Sequence, residues 1–180
     1  MIKKLLSLLL VVFVMLSVAG CQSYEISKKL VSDVIVLTKE DIFLISDSFA
    51  KEPKVYSVSH KSFDNSMEEL KTKYDQNPFL SHSKDIIISA EITVKELSSY
   101  IGELKSYYQI PPDIRISLAE SPVIDLIKKG EVTSDSLNVI IKNSNLCDER
   151  ICNYNESLIG KEFPLLYEDD GEIFIKRITI

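Results

Sequence analysis

Three cysteines are the residues best suited to chemistry in this chain, and their surroundings divide them into one and two. Cys21 follows Leu16-Ser17-Val18-Ala19-Gly20. Ahead of that lie Lys3, Lys4 and an apolar run from Leu5 to Leu16 broken only by Ser7. A charged start, a short apolar stretch and small residues at the cut together make a secretory signal. The run is about a dozen residues, short of the roughly 20 that a membrane-spanning helix needs. Val18-Ala19-Gly20-Cys21 looks like a bacterial lipobox, which places cleavage between Gly20 and Cys21 and acylates the Cys21 thiol. One acyl chain holds a protein only marginally on a membrane, whereas the diacylglyceryl group added at a lipobox suffices. That covalent lipid is the only attached group expected; no metal and no organic cofactor is.

Cys147 and Cys152 sit close together in Asn145-Leu146-Cys147-Asp148-Glu149-Arg150-Ile151-Cys152. Outside the cytoplasm such a pair suits a small disulfide-closed loop. Two free thiols are the alternative; a redox pair and half a zinc site are the remaining ones. A zinc site lacks visible ligands, because neither His60 nor His82 is near in sequence. Ser81-His82-Ser83 sets hydroxyls beside an imidazole. Neighbours in an extended chain point to opposite faces, so proton transfer between them is poorly served, and His82 reads as a residue that hydrogen-bonds locally. His60 reads the same way, before a helix start. The run Tyr167-Glu168-Asp169-Asp170-Gly171-Glu172 has a calcium loop's composition without its alternating ligands, and reads as a solvated turn. Tyr100, Tyr107 and Tyr108, near Pro111-Pro112, are read as core with a wet edge, or else as an aromatic docking patch. No Gly-x-Gly or phosphate loop is present. The catalytic set is therefore expected to be empty.

The elements that must carry these residues are legible. Val34-Ile35-Val36-Leu37 and Ile42-Phe43-Leu44-Ile45, joined by Thr38-Lys39-Glu40-Asp41, predict a hairpin, and Val55 to Ser59 a third strand beside it. Phe63, Met67, Leu70 and Tyr74 recur at helical spacing, with Ser62 as N-cap and Asn77-Pro78 as the stop. Lys84 to Ser89 is a buried-type strand. Thr93-Val94-Lys95-Glu96 is a capping box opening a helix whose face carries Leu97, Tyr100, Ile101, Leu104 and Tyr108. Pro111 ends it. Asp113 to Leu118 alternates as a strand. Ser121-Pro122 starts a short helix with Pro122 in first position, stopped by Gly130. A further helix starts at Thr133 or Ser134, with Leu137, Ile140 and Ile141 inward. Phe163 to Tyr167, the turn Asp169-Asp170-Gly171 and Glu172 to Ile180 close the chain as a hairpin. This order predicts an α/β (α+β) fold: one mixed sheet with helices packed on it.

Residues 1–20 are thus assigned to the signal, 21–32 to a lipidated tether and 33–180 to a single domain. Cleavage would leave 160 residues with 19 basic against 27 acidic side chains, a net charge of −8. That balance excludes nucleic acid, which needs a basic stripe.

At Ser81-His82-Ser83-Lys84-Asp85-Ile86-Ile87-Ile88-Ser89 the chain resembles the amino-terminal domain of the Ger(x)C lipoproteins, the C subunits of spore germinant receptors in endospore-forming bacteria. There, a Ser-x-x-x-Ala-x-x-x-Leu helix precedes Gly-His-x-Lys-x-Ile-x-Ile-Gly; here Ser62 to Leu70 stands before it. The family's Arg-Asp-Pro-Glu-Ile-Arg-like strand and following short helix correspond to Pro111-Pro112-Asp113-Ile114-Arg115-Ile116 and Pro122 to Ile127. Tyr24-Glu25-Ile26 is similar to the family's Glu-Ile after the lipid cysteine. His82, Lys84 and Ile114-Arg115 are the sharp matches within residues 21–128. Gln22-Ser23 stand where the family has Trp-Asp, and Ser81 and Ser89 where it has glycines. The chain stops near the point where that family passes into further domains, so a divergent short member or a fragment is expected. The resemblance implies a non-enzymatic lipoprotein on the outer face of the spore inner membrane, partnered by integral-membrane receptor subunits. A lipid-anchored binding module or adhesin for an extracellular ligand is the alternative.

Overall fold

Seven strands hydrogen-bond into one mixed sheet whose middle is parallel. The structure is a computed structural model that describes residues 29–47, 53–59, 62–107, 109–144, 150–154 and 158–180. In chain order the strands are β1 (Lys29–Val31), β2 (Val34–Leu37), β3 (Asp41–Ser46), β4 (Lys54–Ser59), β5 (Asn77–Phe79), β6 (Asp85–Ser89), β7 (Arg115–Ala119), β8 (Glu162–Asp169) and β9 (Glu172–Thr179). The helices are α1 (Phe63–Tyr74), α2 (Val94–Ser106), α3 (Ser121–Lys128) and α4 (Ser134–Asn143), with a 3-10 turn at Ile151–Asn153. The sheet runs β4-β3-β2-β6-β7-β8-β9. β2, β6, β7 and β8 are parallel, and antiparallel strands close both edges.

Every residue of β2 and β6 is buried, which is why these strands read as continuous apolar runs rather than alternating ones. On one face Ile35, Ile86, Ile88 and Ile116 meet Phe63 and Leu70 of α1 and Leu97 and Leu104 of α2. On the other, Val36, Ile87 and Ala119 meet Val123 and Ile127 of α3 and Leu137 and Ile141 of α4. After α4 the chain crosses to the first face, where Ile151, Tyr154 and Leu158 join the α1–α2 core. One mixed sheet with helices packed on it is the architecture expected from the sequence; that the helices cover both faces comes from the structure.

Local signals explain most boundaries. The Thr93 hydroxyl accepts from Glu96 N at 3.2 Å, and Glu96 Oε2 accepts from Thr93 N at 2.8 Å, completing the capping box of α2. The β8–β9 turn places Asp170 at φ 50° and Gly171 at φ 82°. A two-residue hairpin loop needs this left-handed geometry to match the strand twist, and Asp-Gly supplies it.

The structure corrects four boundaries. The expected tether reaches into the core: β1 pairs in parallel with β5, and Leu30 is 2% exposed. Both strands are three residues long and β5 contains Pro78, too short and too interrupted to show a period. Helix α1 ends at Asp75, which takes φ 51°, before Asn77-Pro78 is reached. Helix α2 ends at Ser106, where Tyr107 turns to extended backbone. In α3, Ser121 is the first helical residue, putting Pro122 second, and the Ser121 hydroxyl donates to Glu91 instead of capping its own helix.

Candidate functional site

Two buried strands of this sheet begin with a charged residue, and the parallel register sets those residues side by side: Asp85 of β6 is the partner of Arg115 of β7. Arg115 Nε and Nη2 donate to Asp85 Oδ1 and Oδ2, each at 2.6 Å. This is the fork-to-fork geometry in which a guanidinium holds a carboxylate most strongly. The side chains are 8% and 1% exposed. Arg115 Nη2 also donates to Asn138 Oδ1 at 2.7 Å, so α4 closes over the pair. Arg150 forms an isolated antiparallel bridge to Arg115 and donates from Nη1 to the Asp113 carbonyl at 2.9 Å. Once out of water, neither charge is tolerable without the other.

A cleft of about 360 Å³ opens over this cluster at the amino ends of the parallel strands, with Lys84, Arg115, Lys142 and Arg150 in its wall and Asp113 as the acid among them. The carboxyl ends carry a second cleft of about 260 Å³, walled by Glu40, Asp41, Glu91 and Asp125 against Lys39 and Lys128. The carboxyl ends are where open α/β sheets usually take ligands. Here that end is acidic, and basic side chains gather at the other.

A family model described as the spore germination protein N-terminal domain matches residues 43–160. The chain belongs to that family. No curated protein and no solved structure matches it. The matched span of the spore germination domain runs from β3 to the approach to β8. It contains Asp85, Arg115, Asn138 and Arg150, and stops short of β8–β9.

Within this spore germination domain the residues singled out in the sequence are placed as follows. Lys84 and Ile114-Arg115 meet at the basic cleft. His82 lies in the turn before β6, exposed, its ring centroid 5.5 Å from that of Phe79. The serines beside it turn elsewhere. Ser83 is buried and donates to the Ser32 carbonyl at 3.0 Å, and Ser81 donates to the Gln109 carbonyl at 3.4 Å. Tyr107 packs edge-on against Phe63 at 5.0 Å. Tyr100 is half-buried; burial first, then Glu96 and Glu103, push its hydroxyl pKa up. Tyr108 and His60 lie outside the described residues, as do Gly20, Cys21 and Cys147. Cys152 is exposed in the 3-10 turn, its Sγ 3.6 Å from Asn153 Oδ1. Glu168 Oε1 accepts from Gly171 N at 2.6 Å within the acidic turn. Among the described residues, no group of three His, Cys, Asp or Glu is placed to hold a metal, and no helix is long and apolar enough to cross a membrane.

Asp85 as the partner of Arg115, together with Asn138, Lys142 and Arg150, escaped the sequence reading. The alternation of Asp113 to Leu118 pointed the other way, placing Arg115 and Ser117 on a polar face, whereas the structure buries β7 throughout. An arginine there requires a buried acid.

Proposed function

We propose that this spore germination domain is the extracytoplasmic part of a lipoprotein subunit of a germinant receptor, anchored through Cys21 and acting by binding rather than catalysis. The family match over residues 43–160 carries the reading. The lipobox ahead of the domain supports the anchor, since Val18-Ala19-Gly20-Cys21 has the pattern of the end of a secretory signal and stands shortly before the first described strand at Lys29. The separate partners of Ser81, His82 and Ser83 support a non-enzymatic role: neither serine hydroxyl bonds the imidazole. Lipid on Cys21 holds the domain at the outer face of the membrane, and its surface packs on integral-membrane subunits of the receptor.

The test is an immunoblot of purified spore inner membranes beside membranes from growing cells, for the native chain and for Cys21→Ala. Enrichment in the spore membrane that disappears with Cys21→Ala is the expected result. Equal abundance in growing cells would remove the receptor role and favour an anchored binding module. Normal lipid labelling of the Cys21→Ala chain would remove the anchor.

A further inference from the structure

We infer that the amino-terminal edge of the parallel strands is the face this domain turns to the membrane, with Lys84, Lys142 and Arg150 set against anionic phospholipid headgroups. The orientation rests on the anchor at Cys21 proposed above.

Connectivity is the first argument. The first described strand, β1, leads into the sheet at that edge. Ser83 Oγ donates to the Ser32 carbonyl at 3.0 Å, and Lys84 N donates to the Asp33 carbonyl at 2.9 Å. Lys84 is therefore one hydrogen bond from the segment that follows β1. From Cys21 to Lys29 a fully extended chain spans at most about 28 Å, so the lipid keeps this edge within reach of the headgroups.

Charge is the second. The protein as a whole is acidic, with a net charge of −6. Lys84 and Lys142 are nevertheless exposed in one cleft wall beside half-buried Arg150, opposed there by exposed Asp113. Arg115 adds nothing outward, because Asp85 neutralises it. Toward β3 the edge carries the carboxylates of Asp47, held by Ser134 N and Oγ, and of buried Asp33, which accepts from Asp47 N at 3.0 Å, so among the described residues the basic charge of this edge is confined to the β6–β7 side. The opposite end presents Glu40, Asp41, Glu91 and Asp125 against two lysines. A body so polarised turns its basic end to an anionic surface, within a Debye length of about 8–10 Å.

The experiment uses the full acylated chain on phosphatidylcholine vesicles with and without phosphatidylglycerol, read by hydrogen exchange. The expected result is added protection at 81–84 and 138–142 that requires phosphatidylglycerol and is lost in high salt, with none at 39–41 or 125–128. Lys84→Glu/Lys142→Glu should abolish that protection while the thermal melt is unchanged, because neither side chain is buried. Protection that ignores phosphatidylglycerol, or that falls at 39–41 and 125–128, would overturn the orientation. So would the same protection from inorganic phosphate without vesicles, which would indicate a soluble-anion site. Protection seen only when receptor subunits share the membrane would assign the face to a protein partner. The mass of the Cys21 peptide from the same sample reads the anchor separately: a peptide without lipid overturns the anchor, while salt-sensitive protection on phosphatidylglycerol still decides the face.

Discussion

Replacing Asp85 by asparagine isolates what the buried ion pair does. The change keeps the shape of the side chain and removes its charge. Arg115 then faces a neutral amide where it now makes two bonds of 2.6 Å, with its own side chain only 8% exposed. Breaking a buried pair by deleting one partner costs about 3–5 kcal/mol, because the survivor stays charged and unsolvated. For a domain of this size each kcal/mol lowers Tm by about 2–4 °C, which makes the expected fall about 6–20 °C. Arg115→Met should cost a similar amount by stranding Asp85. The double variant Asp85→Asn/Arg115→Met should cost less than the two singles together, by about 2 kcal/mol or more, since no buried charge is left. Urea melts followed by circular dichroism on all four chains give the cycle. If Asp85→Asn stays within about 1 kcal/mol of the parent, the pair behaves as an exposed one. Water in the cleft would then be solvating Arg115, and the reasoning would fail.

Other positions offer independent checks. Ser117 is 1% exposed and its hydroxyl has no partner among the described residues, so Ser117→Ala should leave the urea midpoint unchanged or raise stability by about 1 kcal/mol. Thr93→Ala should cost about 1 kcal/mol through loss of the α2 cap. The Thr93 backbone N–H and then its hydroxyl hold the Glu96 carboxyl below its ordinary value. The carboxylate's share of the cap is thus whole at neutral pH and lost as pH falls through that lowered value, and Glu96→Gln should flatten the acid side of a Tm–pH profile. Gly171→Ala should cost about 1 kcal/mol from its φ of 82° alone, since nothing lies within 4 Å of the added carbon; a melt that does not move would show the turn relaxing. If Cys147 and Cys152 are bridged, non-reducing mass analysis will find the secreted protein lighter by a pair of hydrogens than its reduced form, and equal masses would exclude the bridge.

Legibility in the sequence tracked how local each signal was. The capping box lies within four residues, the Asp-Gly turn within two, and the helical faces of α1 and α2 repeat over three turns. Such signals work through residues close together in sequence, so Thr93, Gly171 and Leu70 could be assigned directly. β1 and β5 were missed because three residues carry no period, and each is a strand only in the presence of the other. The basic cleft was half visible. Lys84 and Arg115 stood out through the family resemblance, yet nothing local joined Arg115 to Asp85 thirty residues away or to Asn138 twenty-three away.

Composition and pattern by themselves determined a single α/β domain and nearly every helix and strand. Tertiary structure decided the strand order, which face each helix covers, and the pairing of two charged residues that each open a buried strand. The reason is physical. A strand's apolar pattern says that it is buried but not which strand lies beside it, and that choice of neighbour and register set Asp85 against Arg115 and gathered the basic side chains at one end of the sheet.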